Sequence, residues 1–89
     1  MKTIKGETKT GFKFEIVQSK VDNFELFEEL AEVENNPLLI PSVFKKVLGE
    51  EQLNELKEHL RTEEGNVPLE KMMVEIEDIF DAAGGDLKN

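Results

Sequence analysis

Cysteine is absent from the 89 residues, which removes both a disulfide framework and a thiolate metal site, so packing or self-association has to hold the fold. Histidine occurs once, as His59. One imidazole without cysteine does not make a typical zinc or nucleophilic site, and no serine stands in a nucleophile-elbow context. No run approaches the roughly 20 apolar residues of a membrane span. The stretch from Met1 to Gly11 alternates charged and small polar residues and has no apolar core of a secretory leader. No Gly-rich loop leads to a Lys-Ser or Lys-Thr pair, and Gly84-Gly85 follows a helical pattern where a phosphate cradle would precede one. The expectation is a soluble protein of the cytoplasm.

Negative charge is abundant. The formal net charge is −9. It is unevenly spread: residues 1–20 carry five lysines against Glu7 and Glu15, a balance of +3, which leaves −12 for the rest. Such a surface is repelled by phosphate, so nucleic-acid binding through the helical part is disfavoured, although the N-terminal face is basic. The plainer reading of the acid is solubility.

Along the chain, Ile4 and then Phe12, Phe14 and Ile16 alternate with polar neighbours around Glu7-Thr8-Lys9-Thr10-Gly11. That pattern predicts an antiparallel hairpin with one apolar face, turned at Gly11 and packed on helices, because a lone hairpin is marginal in water. Asp22 is the expected N-cap of a first helix with Phe24, Phe27 and Ala31 on one face, Leu26, Leu30 and Val33 adjacent, and glutamates outward. The helix should end near Asn35-Asn36-Pro37. Pro37 and Pro41 bracket Leu38-Leu39-Ile40, which predicts either a short turn followed by a helix from about Pro41 or a kinked helix from Pro37. Gly49 should stop that helix. A third follows over residues 50–61 with Leu53, Leu56 and Leu60 as its stripe, then a polar loop over residues 62–66. The last helix opens at Pro68 and repeats Leu69, Met72, Met73, Ile76, Ile79, Phe80 and Ala83 at helical spacing up to a stop at Gly84-Gly85. The expectation is therefore a mainly helical α+β fold, a hairpin on a bundle of three or four short helices. It forms one domain over residues 1–89: hairpin 1–18, helical part 22–84 and frayed tail 85–89.

The many carboxylates follow the exposed helix faces, and none sits isolated in an apolar run where burial would tune it for acid–base work. The acids around Gly65 and at residues 77–81 lack the ligand order of a calcium loop. Phe12-Lys13-Phe14 would be the only base-stacking candidate, and the same-side spacing of the two rings places both in the core instead. No catalytic, metal or cofactor site is expected. What remains is interaction surface: Leu38, Leu39, Ile40, Phe44, Met72 and Met73 exceed what a narrow helical seam needs. A mobile methionine pair also suits an adaptable groove. These six are the candidate partner-binding residues, each individually more often a core residue.

The order of elements carries a resemblance. A lysine-bearing hairpin precedes the acidic helix Phe24-Glu25-Leu26-Phe27-Glu28-Glu29-Leu30-Ala31-Glu32. The stretch Asn36-Pro37-Leu38-Leu39-Ile40-Pro41, then Gly49-Glu50-Glu51-Gln52-Leu53 and the Val67-Pro68-Leu69-Glu70-Lys71-Met72-Met73 helix follow. This arrangement resembles the small tail-assembly chaperone-like proteins of long-tailed bacteriophages and prophages of Gram-positive bacteria. The resemblance covers most of the chain through helix and loop patterns. It implies a non-enzymatic factor that binds the tape measure protein, recruits tail tube subunits and often self-associates as a homo-oligomer. It carries over no catalytic residue. Leu87-Lys88-Asn89 is compatible with a slippery run of codons of the kind such phages use to extend the product, and equally with an ordinary polar tail. The competing expectations are an acidic regulator that mimics nucleic acid and a small structural component of the virion. No membrane or nucleic-acid partner is expected.

Overall fold

The computed structural model of the chain describes residues 2–87, with side chains for residues 2–83. Alternating apolar residues give two strands, β1 (Thr3–Glu7) and β2 (Lys13–Val17), paired antiparallel with Ile4 opposite Ile16 and Gly6 opposite Phe14. Period-two spacing puts Ile4, Phe12, Phe14 and Ile16 on one face, and all four are buried. The other face sets Lys5 across from Glu15 and Glu7 across from Lys13, pairings of opposite charge that favour this register. Gly6 is needed for a close approach: a Cβ there would lie 2.6 Å from Cζ of Phe14, whose ring crosses the strand. The turn closes through the Thr8 and Gly11 amides, which donate to the Phe12 and Thr8 carbonyls, with Gly11 at φ 90°.

A short helix that the sequence pattern did not announce, α1 (Gln18–Val21), leaves β2 directly and buries Val21 completely. Next comes α2 (Phe24–Glu32). Its N-cap is Asn23, whose Oδ1 accepts from the Glu25 amide at 3.0 Å, where Asp22 was expected. The buried stripe also differs from expectation. Leu26 and Val33 are buried and Leu30 packs against the core, whereas Phe24 is 77% exposed and Phe27 48%. Both stripes have helical spacing; with Leu26 and Val33 inward, Glu29 lies 2.6 Å from Lys46 on the next helix.

Of the two alternatives around the prolines, the short turn holds: Pro37–Leu39 form a 3-10 turn, and α3 (Ile40–Leu60) begins with Pro41 in its first turn. Gly49 breaks α3 into arms over residues 40–48 and 50–60. Its φ of 79° and ψ of 166° lie outside what a residue with a side chain adopts readily. Both arms bury apolar residues, Val43, Phe44, Val47 and Leu48 in the first and the expected stripe of Leu53, Leu56 and Leu60 in the second. The final helix α4 (Leu69–Leu87) starts just after Pro68 and runs through Gly84 and Gly85, beyond the expected stop. A glycine pair lowers helix propensity by about 1 kcal/mol per residue but does not forbid continuation. Lys88 and Asn89, the end of the expected tail, lie outside the described residues.

The architecture is mainly helical α+β, a hairpin packed on helices. Hairpin and helices share one core cluster in which Phe44, Leu56 and Ile79 are fully buried. The sheet edge at β2 is closed by a side chain. Gln52 Oε1 accepts from the Glu15 amide at 2.8 Å, and its Nε2 donates to the Glu15 carbonyl at 2.6 Å. A single amide thereby stands in for a neighbouring strand at the exposed edge.

Candidate protein-binding groove

Two apolar clefts and one polar cluster are the features from which function can be built. The first cleft, about 490 Å³, lies between the 3-10 turn, both arms of α3 and the start of α4. Its floor is core: Ile40, Phe44, Leu53 and Met72 are 0–8% exposed. Its rim is not. Leu38 is 86% exposed and Leu69 55%. Backbone chemistry explains the position of Leu38. Proline at the start of the 3-10 turn and again in the first turn of α3 fixes a tight corner, and the side chain at its apex points away from the core. The charged lining residues are Lys45, exposed, and Lys57, half-buried.

Four of the six expected contact residues, Leu38, Ile40, Phe44 and Met72, thus meet in one groove, although only Leu38 presents open surface. The other two go elsewhere. Leu39 is half-buried against the core, and Met73 lines the second cleft. Sequence reasoning missed Leu69 as a rim residue because it begins a helical stripe whose later members are buried. Its place ahead of the first full turn was the available signal.

The second cleft, about 740 Å³, runs between α2 and α4 and is lined by Phe27, Leu30, Ala31, Met73 and Phe80. Its charged residues are Glu34, Glu77 and Asp81. Phe27 and Phe80 meet edge-on with centroids 6.0 Å apart, so the exposed ring already has an aromatic partner within the chain.

The polar cluster corrects one expectation. The carboxylates are expected on exposed helix faces, yet Glu75 is 0% exposed. It sits between Val74 and Ile76 on α4 and faces the hairpin turn. Its two carboxyl oxygens accept from the Thr8 hydroxyl at 2.8 Å and the Thr10 hydroxyl at 3.0 Å. The neighbouring Asp78 accepts from the Lys9 amide at 3.2 Å. His59, exposed at the edge of α3, places Nε2 3.0 Å from the Thr10 carbonyl, and its ring lies 5.8 Å from that of Phe12. A carbonyl only accepts, so Nε2 carries the proton.

The order of these contacts decides what the cluster does. A nucleophilic triad needs the acid to orient the imidazole and the imidazole to take the hydroxyl proton. Here the Thr10 hydroxyl donates to the acid, and the imidazole donates to a backbone carbonyl. The result is a latch that fixes the hairpin turn to α3 and α4.

Elsewhere, Glu29 is held below the usual carboxylate value, chiefly by the Lys46 ammonium and secondarily by the Ser42 hydroxyl. Among the described residues, no group of three or more His, Asp or Glu side chains is placed to hold a metal ion. No helix there is long and apolar enough to cross a membrane, and no buried side-chain polar atom lacks a partner.

Compared with known proteins, the chain matches no family model, no curated protein and no solved structure.

Proposed function

We propose that the chain is a non-enzymatic binding protein whose groove beside Leu38 shields an apolar segment of another protein. One observation carries this reading: Leu38 and Leu69 stand exposed on either side of a floor made of core residues. Leaving Leu38 in water over a formed cleft forgoes burial worth up to about 1.5–3 kcal/mol, and half-exposed Leu69 forgoes about half of that, a loss that a bound segment would recover. The net charge of −9 suits the same task, because like charge keeps loaded complexes from associating with one another.

The specific role we propose, on the resemblance of element order, is that of a tail assembly chaperone. It would receive the tape measure protein, tail tube subunits or both, in the cytoplasm of a bacterial host. Co-expression with a tape measure fragment tests it. The fragment should stay soluble with the wild-type chain and precipitate with Leu38→Asp, while circular dichroism and melting of that variant stay unchanged. A fragment equally soluble without the chain would contradict the proposal. Retained binding that vanishes steeply with salt would instead favour the acidic nucleic-acid mimic, whose contacts are charge pairs and not groove burial. Presence of the chain in purified particles would favour the structural virion component.

A further inference from the structure

The sign of the charge at the groove is opposite to that of the molecule. Acidic residues number 20 against 11 lysines and arginines, yet the charged side chains lining this cleft are Lys45 and Lys57. Neither is used internally: the ion pairs among the described residues are Lys9–Asp78, Lys46–Glu29 and Arg61–Glu58. Each lysine can lay its aliphatic stem along the apolar wall and keep its ammonium at the mouth. Two unpaired ammonium groups beside an open apolar floor are complementary to carboxylates placed next to apolar anchors. They oppose lysine or arginine at the same places.

We propose that the occupant of this groove is an amphipathic helical segment of another protein, with carboxylates flanking its apolar anchors. This rests on the reading of the groove as a binding site and adds its selectivity. Leu38 and Leu69 grip the apolar stripe and supply most of the affinity. Lys45 and Lys57 select among apolar segments by the charge beside the stripe, the usual division between burial and electrostatic complementarity. The net negative charge of the chain acts over a longer range than the two lysines. It is screened beyond about 8 Å at physiological ionic strength, so there the local sign prevails.

Two fluorescein-labelled synthetic helical peptides provide the test. Both carry the same leucine stripe, one flanked by glutamates and the other by lysines, and each is titrated with the full chain by fluorescence anisotropy. The glutamate-flanked peptide should bind about tenfold more tightly, equivalent to about 1.4 kcal/mol. The double variant Lys45→Glu/Lys57→Glu should reverse the preference, Lys45→Gln/Lys57→Gln should erase it, and Leu38→Asp should weaken both peptides. Equal affinities for the wild type, or a preference unchanged by charge reversal, would overturn the selectivity while leaving the groove as a binding site. Failure of both peptides to bind would overturn the binding site as well. The competing outcome is a second copy of the chain in the groove, seen in sedimentation as self-association lost in both Leu38→Asp and Phe24→Asp, since Phe24 is exposed beside Glu25 and Glu28. That result would overturn the assignment to a different protein.

Discussion

The cleft between α2 and α4 and the groove beside the 3-10 turn share helix α4 and differ in how their rims are finished. Between α2 and α4 the exposed aromatic, Phe27, rests edge-on against Phe80, and the surrounding charge is acidic, the sign of the net charge. Beside the 3-10 turn, Leu38 and Leu69 project past a core floor, and the surrounding charge is basic. The larger cleft is therefore the less promising one. An apolar side chain already satisfied inside the chain stabilises the fold, whereas one held out by two prolines does not. Between these two, volume favours the cleft whose apolar rim is already satisfied.

Removing the floor should erase the contrast altogether. Phe44 is fully buried beneath the groove, and Phe44→Ala should cost about 3–5 kcal/mol, read as a large fall in the denaturant midpoint together with loss of binding. Leu38→Asp, at the rim of the same groove, should stay within about 0.5 kcal/mol of wild type.

The latch should come next. Helix α4 walls both clefts, and Glu75 ties it to the hairpin turn through Thr8 and Thr10. Glu75→Ala leaves buried Thr8 without its acceptor and should cost about 1–3 kcal/mol in chemical denaturation, with Glu75→Gln losing less because its carbonyl still accepts. Because the latch serves both clefts, peptide affinity at 25 °C should be preserved in whatever fraction remains folded.

A smaller effect separates the rims directly. Phe27→Ala should destabilise by about 0.5–1.5 kcal/mol through loss of the aromatic pair, whereas Leu38→Ala should leave the melting temperature unchanged. If both variants were neutral, the distinction between a rim that stabilises and a rim that waits would collapse.

The smallest effect concerns pH. Lys46 and Ser42 lower the pKa of Glu29, and a carboxyl whose folded value lies below its unfolded value contributes stability that is complete above the unfolded value. That contribution is lost as pH falls through the folded one. The melting temperature of wild type minus that of Lys46→Met should therefore shrink as pH falls below about 4.5, the ordinary value. A constant difference would remove this link between α2 and α3 from the account.

Much of the fold was legible because local patterns agreed with it. Alternation placed Ile4, Phe12, Phe14 and Ile16 inward, Gly49 marked the break in α3, and Leu53, Leu56 and Leu60 formed the expected stripe. Legibility failed where the deciding contact was distant in the chain. Both stripes of α2 are apolar, and what buries Leu26 while leaving Phe24 in water is the helix's partner, not its own spacing. Glu75 reads as solvated in the sequence because the hydroxyls that donate to it in the core lie 67 and 65 residues away. Of the candidate contact residues, Leu38 could be read from the two prolines around it. Leu39 and Met73 could not be separated from the groove residues, because adjacent positions on a turn or helix diverge to different faces only once the neighbouring elements are in place.

The most direct test of the central claim is a map of amide chemical-shift changes on adding the glutamate-flanked peptide to isotopically labelled protein. The account predicts the largest changes around Leu38, Lys45, Lys57 and Leu69, with Phe27, Ala31 and Asp81 undisturbed. Changes concentrated instead at Phe27, Ala31 and Asp81 would show that the cleft between α2 and α4 is the binding surface, and would contradict it.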